Sequence, residues 1–315
     1  MSVTTIRSQV QGGAGRRSPG LTFEARQKTL AYALLLPAAA TIALLIVYPL
    51  YQVVELSFRE GRVMNFSRIG TMPLGFAQYA RLFSDRAFWH AASTSAVYVG
   101  GSVFVAFLVG LLTAVLLNRE IPARRLLRTL VLLPWAIPGV IVSIVFLWLL
   151  DGSFGVVNAI LRNVGLLQGD QPWFVDQRTA LIAVMLPTVW KTYPLITLTL
   201  LAAMQSIPKE LYEAAEVDGA KPRHRFLHIT WPGIQAAALL AVMVSALGTF
   251  RDVDIIFATT GGGPARVTET LAVYVYNEAF QYFRMGSAAA VGTIMIGIAF
   301  ALVLVLVRFA GRSKF

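Results

Sequence analysis

Six long apolar runs, separated by short charged segments, constrain this 315-residue chain more than any other feature. Residues 30–50, 91–117, 129–150 and 285–307 contain no charge, and 179–204 contains only Lys191. Residues 234–250 are uncharged too, and that run is expected to continue through 255–258 across Arg251, Asp252 and Asp254. A helix needs about 20 apolar residues to cross the hydrocarbon of a bilayer. Lipid offers backbone amides and carbonyls no partner outside their own helix, so each run is expected to be helical. The fold class that follows is an all-α polytopic membrane protein with six transmembrane helices. Composition agrees: 57% of residues are hydrophobic and 14% charged, whereas soluble domains are about a quarter charged.

The first apolar run lies behind 29 residues and is longer than a signal-peptide core, so it reads as a span. Residues 1–29, rich in Gly, Ser and Arg, are expected to form a disordered cytoplasmic tail ahead of one membrane domain, 30–315. With the N-terminus inside, 16 of the 27 Lys and Arg fall in cytoplasmic segments and 10 in external ones. Acidic residues run the other way, 6 inside and 10 outside. This asymmetry places both termini in the cytoplasm and accounts for the net charge of +11 without nucleic acid. The absence of cysteine removes disulfide frameworks and cysteine-ligated metal sites.

Two other classes fit the sequence less well. A secondary transporter often shows two inverted hydrophobic halves, and no such repeat is evident. A membrane-embedded enzyme needs a nucleophile or metal cluster. His224 and His228 stand four apart, but no third metal ligand is evident and no metal is expected. No Gly-x-x-x-x-Gly-Lys-Ser/Thr phosphate loop occurs either, so ATP chemistry is not expected in this chain.

The cytoplasmic segment 205–233 carries the strongest functional signal. Ser206 is placed to cap a helix whose first turn holds Pro208, Lys209 and Glu210. Leu211, Ala214, Ala215 and Val217 give it a small apolar side, and Gly219 supplies the left-handed stop. The spacing is Glu213-Ala214-Ala215, three residues, Gly219, nine residues, Ile229, one residue, then Trp231-Pro232 in the loop's closing position.

That pattern closely resembles the EAA loop of binding-protein-dependent ABC importer permeases, in which Leu-Pro closes the motif where Trp231-Pro232 stands here. The resemblance extends over nearly all of 30–315. Residues 133–138, Leu-Pro-Trp-Ala-Ile-Pro, and 189–194, Val-Trp-Lys-Thr-Tyr-Pro, match the third- and fourth-span signatures of sugar permeases. The external stretch 260–264, Thr-Gly-Gly-Gly-Pro, with Thr268-Glu269-Thr270-Leu271 and 276–280, is similar to the maltose- and glycerol phosphate-type permeases of the first of two non-identical positions. The resemblance implies a type I importer permease fold, a second permease as heterodimer partner, an ATPase dimer, and an extracytoplasmic solute-binding protein. It implies no cofactor in this chain, ATP and Mg²⁺ being bound by the ATPase. Glu213, Ala214, Ala215, Asp218 and Gly219 would form the coupling helix seated in the ATPase cleft. The cargo would be a sugar or sugar-like solute, with a polyol, phosphorylated polyol or osmolyte as the alternative.

Polar residues and helix breakers inside spans are costly unless they line a cavity or face protein. They concentrate in three spans: Pro134, Trp135, Pro138 and Ser143 in the third; Pro187, Thr188, Lys191, Thr192 and Pro194 in the fourth; Ser245, Thr249, Arg251, Asp252 and Asp254 in the fifth. The resemblance places the solute pathway at Trp135 and Gly139, at Thr188, Lys191, Thr192 and Leu195, and at Ser245 and Thr249. Lys191 sits near mid-membrane, where a lysine costs roughly 2.5–3.5 kcal/mol on insertion scales. Pro187 and Pro194 lack amide hydrogens and free the carbonyls of Ala183 and Trp190, so a kinked fourth span is expected to offer acceptors beside the ammonium. Asp252 and Asp254 are the candidate counter-charges.

Overall fold

The computed structural model describes residues 23–59 and 72–310, all of it helix and connecting loop apart from one isolated bridge between Arg59 and Leu74. Most of the expected 1–29 tail lies outside the described residues. The chain divides into two compact units after Gln52.

The first unit holds helix α1, Phe23–Ile42, a π-turn over Ala43–Val47 and the start of α2, Tyr48–Ser57. Together they supply the apolar helix Leu30–Ser57, long enough for a first span. Pro37 lies inside α1, and its carbonyl accepts from Thr41 Oγ1 at 2.9 Å.

The second unit contains the remaining helices. They are α3, Ala77–Ser84; α4, Arg86–Asn118; α5, Arg124–Ala136; α6, Gly139–Leu149; α7, Val156–Asn163; and α8, Ala180–Gln205. There follow α9, Lys209–Val217; α10, Pro222–Arg225; α11, Trp231–Arg251; α12, Asp254–Thr259; α13, Leu271–Tyr276; and α14, Met285–Ala310. Among the described residues, five helical stretches are long and apolar enough to span a membrane, and α5 with α6 makes a sixth if the bent pair counts as one. The fold is that of a six-span helical membrane protein.

The third span is not the single run expected over 129–150. It breaks between α5 and α6 with a 97° bend. Pro138 explains the break: it has no N–H to give and crowds the residue before it, so Ile137 is extended, at φ −80° and ψ 133°. The fourth span departs in the opposite direction. Despite Pro187 and Pro194, α8 is one uninterrupted helix, held on both sides by its neighbours.

The fifth span is also redistributed. It does not run on through 255–258. Asp252 leaves the helix in extended conformation, its Oδ1 accepts from the Asp254 amide at 3.0 Å, and α12 starts afresh. The length is recovered at the other end, where Pro222–Arg251 forms one 30-residue helical stretch with a π-turn at Phe226–Thr230. The loop expected over 205–233 is thus a helical hairpin, in its second half already part of the fifth span.

Small residues let these helices close. Gly110 on α4 faces α8 so tightly that an added Cβ would meet Ile196 Cγ2 at 2.9 Å and the Tyr193 carbonyl at 3.1 Å. Around it, Ala106, Ala114, Ile196, Leu200, Ile234 and Ala238 pack α4, α8 and α11 into a buried core. Without a hydrophobic driving force between helices in lipid, such close approach is what holds them together. A second cluster joins α4, α8, α12 and α13 through Tyr98, Val184, Ile255, Ile256 and Val273.

Candidate functional site: a polar cavity and an exposed loop helix

A cavity of about 1250 Å³ lies between α5, α8, α11, α12, α13 and α14, and the break after α11 at Asp252 and Val253 forms part of its wall. Its wall includes Trp135 from α5, Thr188, Lys191, Thr192 and Leu195 from α8, and Ser245 and Thr249 from α11. The eighth residue expected there, Gly139, is not in the wall. It lies at the α6–α12 contact, where an added Cβ would meet Asp254 Cβ at 3.4 Å. Arg251, Asp252 and Asp254 also line the cavity, as do Gly292, Met295 and Ile296 of α14. The charged three carry a sequence signal, being polar at a span end. The α14 residues carry none, because an apolar residue facing a cavity reads like one facing lipid.

The polar groups differ in what they have left to offer. Thr188 is buried, and its hydroxyl bonds the Val184 carbonyl at 3.2 Å and the Tyr98 hydroxyl at 2.6 Å. Tyr98, fully buried on α4, was not anticipated. Ser245 Oγ is the reverse case: it is buried and has no hydrogen-bond partner among the described residues. An unmet buried hydroxyl is uncommon and marks a place where a ligand oxygen would be welcome.

Lys191 resolves its mid-membrane charge in an unexpected way. Its Nζ donates to the carbonyl of Ile137 at 2.6 Å. The freed acceptor therefore comes from the broken third span, not from Ala183 or Trp190 on its own helix. Among the described residues no ion pair within 4.0 Å joins Lys191 to Asp252 or Asp254.

Beyond the C-terminus of α8, α9 follows after three residues. Ser206 does not cap it. Its hydroxyl turns back to the Ala203 carbonyl at 2.8 Å, and Pro208 occupies the cap position without a side-chain bond. The other end is as expected. Gly219 has φ +72°, its amide donates to the Glu216 carbonyl at 3.0 Å, and Ala220 N donates to Ala215 O at 2.8 Å. This double closure needs a left-handed residue, which only glycine adopts without penalty. Glu213, Ala214, Asp218 and Gly219 are exposed, and Val217 is 88% exposed. The helix is braced from behind by Tyr212 Oη and Thr230 Oγ1, 3.0 Å apart, and by an ion pair of Arg225 with Glu216. The rings of His224 and His228 stack 5.7 Å apart.

The stretch 260–284 is packed into the protein. Thr268, Glu269 and Thr270 are buried. Glu269 accepts from Asn277 Nδ2 at 2.9 Å and pairs with Arg266. That carboxylate raises the Arg266 guanidinium pKa above its ordinary value.

The family model described as "Binding-protein-dependent transport system inner membrane component" matches residues 106–313. The sulfoquinovosyl glycerol transport system permease protein SmoG of Agrobacterium fabrum is 32% identical, over 91% of this chain and 92% of its own length. The trehalose/maltose transport system permease protein MalF of Thermococcus litoralis is also 32% identical, over 88% and 93%. A crystal structure of a bacterial ABC transporter involved in the import of the acidic polysaccharide alginate contains a chain that superposes with a TM-score of 0.78. Its sequence identity is 25%, over 92% of this chain and 97% of that one.

Proposed function

Since the chain belongs to the binding-protein-dependent transport system inner membrane components, we propose that it moves a sugar or sugar-like solute across the cytoplasmic membrane as one permease of an ATP-driven importer. The observation that carries this reading is a shared pair of helices. The exposed, glycine-closed helix α9 hangs between α8 and α11, and those two helices supply six of the seven expected pathway residues in the cavity wall. A push on α9 is therefore a push on the cavity.

In this reading the chain itself does no bond chemistry. A partner ATPase dimer binds ATP and Mg²⁺ and grips α9 through Glu213, Ala214, Ala215, Asp218 and Gly219. A second, non-identical permease completes the cavity, and an extracytoplasmic binding protein delivers the solute. ATP-driven closure turns the cavity outward and hydrolysis returns it inward, with both termini cytoplasmic. Hydroxyls at Thr192, Ser245 and Thr249, the Lys191 ammonium and the Trp135 ring suit a polyhydroxylated solute, whose oxygens need donors and acceptors and whose C–H face stacks on an aromatic ring. The names of the relatives, a glycoside permease and a disaccharide permease, support the same class.

The test is reconstitution of this chain in vesicles with a second permease, an ATPase and a binding protein from the same organism. The expected result is uptake of a sugar that requires both ATP and the binding protein. Uptake driven by an ion gradient without ATP would overturn the proposal in favour of a secondary transporter.

A further inference from the structure

The two halves of the broken third span are attached to different parts of the protein. Helix α5 is fastened to α8 at both ends. At its membrane end, the Ile137 carbonyl accepts from Lys191 Nζ at 2.6 Å. At its cytoplasmic end, with the Gln205 amide oxygen turned toward them, Arg128 Nη2 lies at 2.5 Å and Arg124 Nη2 at 3.0 Å. Lys191 and Gln205 are both on α8, about 21 Å apart along it at the helical rise, and Arg124 to Ile137 covers about 20 Å. The two helices therefore run antiparallel with matched fastening points. Helix α6 lies beyond the 97° bend and leans on α12 instead, through Ser143 Oγ and the Ile255 carbonyl at 3.5 Å and the Gly139–Asp254 approach.

Gln205 is the last residue of α8 and stands four residues before α9. Arg124 also donates from Nε to the Leu117 carbonyl in the last turn of α4, at 2.7 Å. Two guanidiniums thus meet at the carbonyl ends of two helices, whose dipoles favour them there, and share one neutral amide. Arg128 Nε is buried with no partner among the described residues, so the joint as it stands leaves one donor unmet. Gln205 is exposed and both arginines are half-buried, so water can take up the amide and guanidinium hydrogen bonds when the joint opens.

We propose that Gln205, with Arg124 and Arg128, is the joint through which the root of the coupling loop moves α5 together with α8, while α6 stays with α12 and the bend at Ile137–Pro138 takes up the difference. These are positioning residues: they act on the cavity through α5 and touch no solute. The proposal rests on the importer reading above and adds to it a second route from the ATPase to the cavity, beside the direct connection of α9 to α8 and α11.

The test measures ATP hydrolysed per solute imported by the complete transporter in vesicles. Gln205→Leu and Arg128→Leu are expected to raise that ratio about tenfold with binding-protein stimulation of the ATPase retained. The double variant should be no worse than the worse single one, as for groups acting as a unit. Gln205→Glu keeps acceptor oxygens facing both guanidiniums and should restore the wild-type ratio. A wild-type ratio in the leucine variants, additive losses, or fewer complexes each working at the wild-type ratio would overturn the joint. Gly219→Pro in the same assay separates the two readings: if it leaves ATPase stimulation and uptake intact, the importer reading fails, and not only the joint.

Discussion

Helix α9 and the cavity are built on opposite plans. The helix is nine consecutive residues closed by one glycine, with Glu213, Ala214, Val217 and Asp218 exposed and, among the described residues, the Tyr212 and Glu216 side chains bonded to the helical segment that follows. The cavity draws on α5, α8, α11, α12, α13 and α14, and its polar groups differ in hydrogen bonding: Thr188 is bonded to Tyr98 and Val184, Lys191 to Ile137, and Ser245 Oγ has no partner among the described residues. A local device can be broken at one backbone position. A distributed one loses function in steps, according to what each side chain still has free.

The largest effect is expected at Gly219. Gly219→Pro demands φ near −65° where the chain has +72°, and it deletes the amide that closes on Glu216. The protein should still insert in the membrane, while uptake and ATPase association are lost. Pull-down of the ATPase with the variant permease checks this; normal association would show that α9 is not the docking helix.

Lys191→Met comes next. It removes the donor from the Ile137 carbonyl at the bend, and an unmet buried polar group costs about 1–3 kcal/mol. An assembled complex with basal ATPase activity and uptake reduced by at least tenfold is expected. Loss of assembly would instead make the lysine a purely structural tie.

Ser245→Leu and Thr249→Leu probe the cavity wall without touching a bond seen in the structure. Each should lower uptake about tenfold, the equivalent of one lost hydrogen bond near 1.4 kcal/mol. Solute affinity of the binding protein should be unchanged. Wild-type rates in both would remove these positions from the pathway.

Tyr212→Phe should have the smallest consequence. It removes the 3.0 Å contact to Thr230 and leaves the Glu216–Arg225 pair in place. A loss of about 1 kcal/mol should speed hydrogen exchange of the α9 amides roughly fivefold with little change in uptake. Unchanged exchange would mean that α9 is held from elsewhere.

Much of this was legible before any coordinates. Six apolar runs foretold the spans because lipid imposes one solution on the backbone. Gly219 foretold the end of α9 because a left-handed closure selects for glycine. Ser206 misled for an instructive reason: a serine before Pro-Lys-Glu suits a cap, yet its hydroxyl donates to the Ala203 carbonyl at the end of α8. Pro138, Pro187 and Pro194 look alike in sequence, but only Pro138 lies at a break, because Ile137 can turn out of its helix while α8 is enclosed by α4, α5 and α11.

The sequence by itself determined what obeys local rules: which segments enter lipid, where charge accumulates, and how the loop after the fourth span closes. Tertiary structure alone decided what depends on a partner. It chose Ile137 as the acceptor for Lys191 and gave the Thr188 hydroxyl to Tyr98 while leaving Ser245 free. It also set Gly139 against Asp254 and not in the cavity wall. The reason is physical. Backbone hydrogen bonding in lipid is satisfied within a helix and can be read along the chain, whereas a buried side chain takes whichever donor or acceptor packing brings within 3 Å, and packing is a property of the assembled bundle.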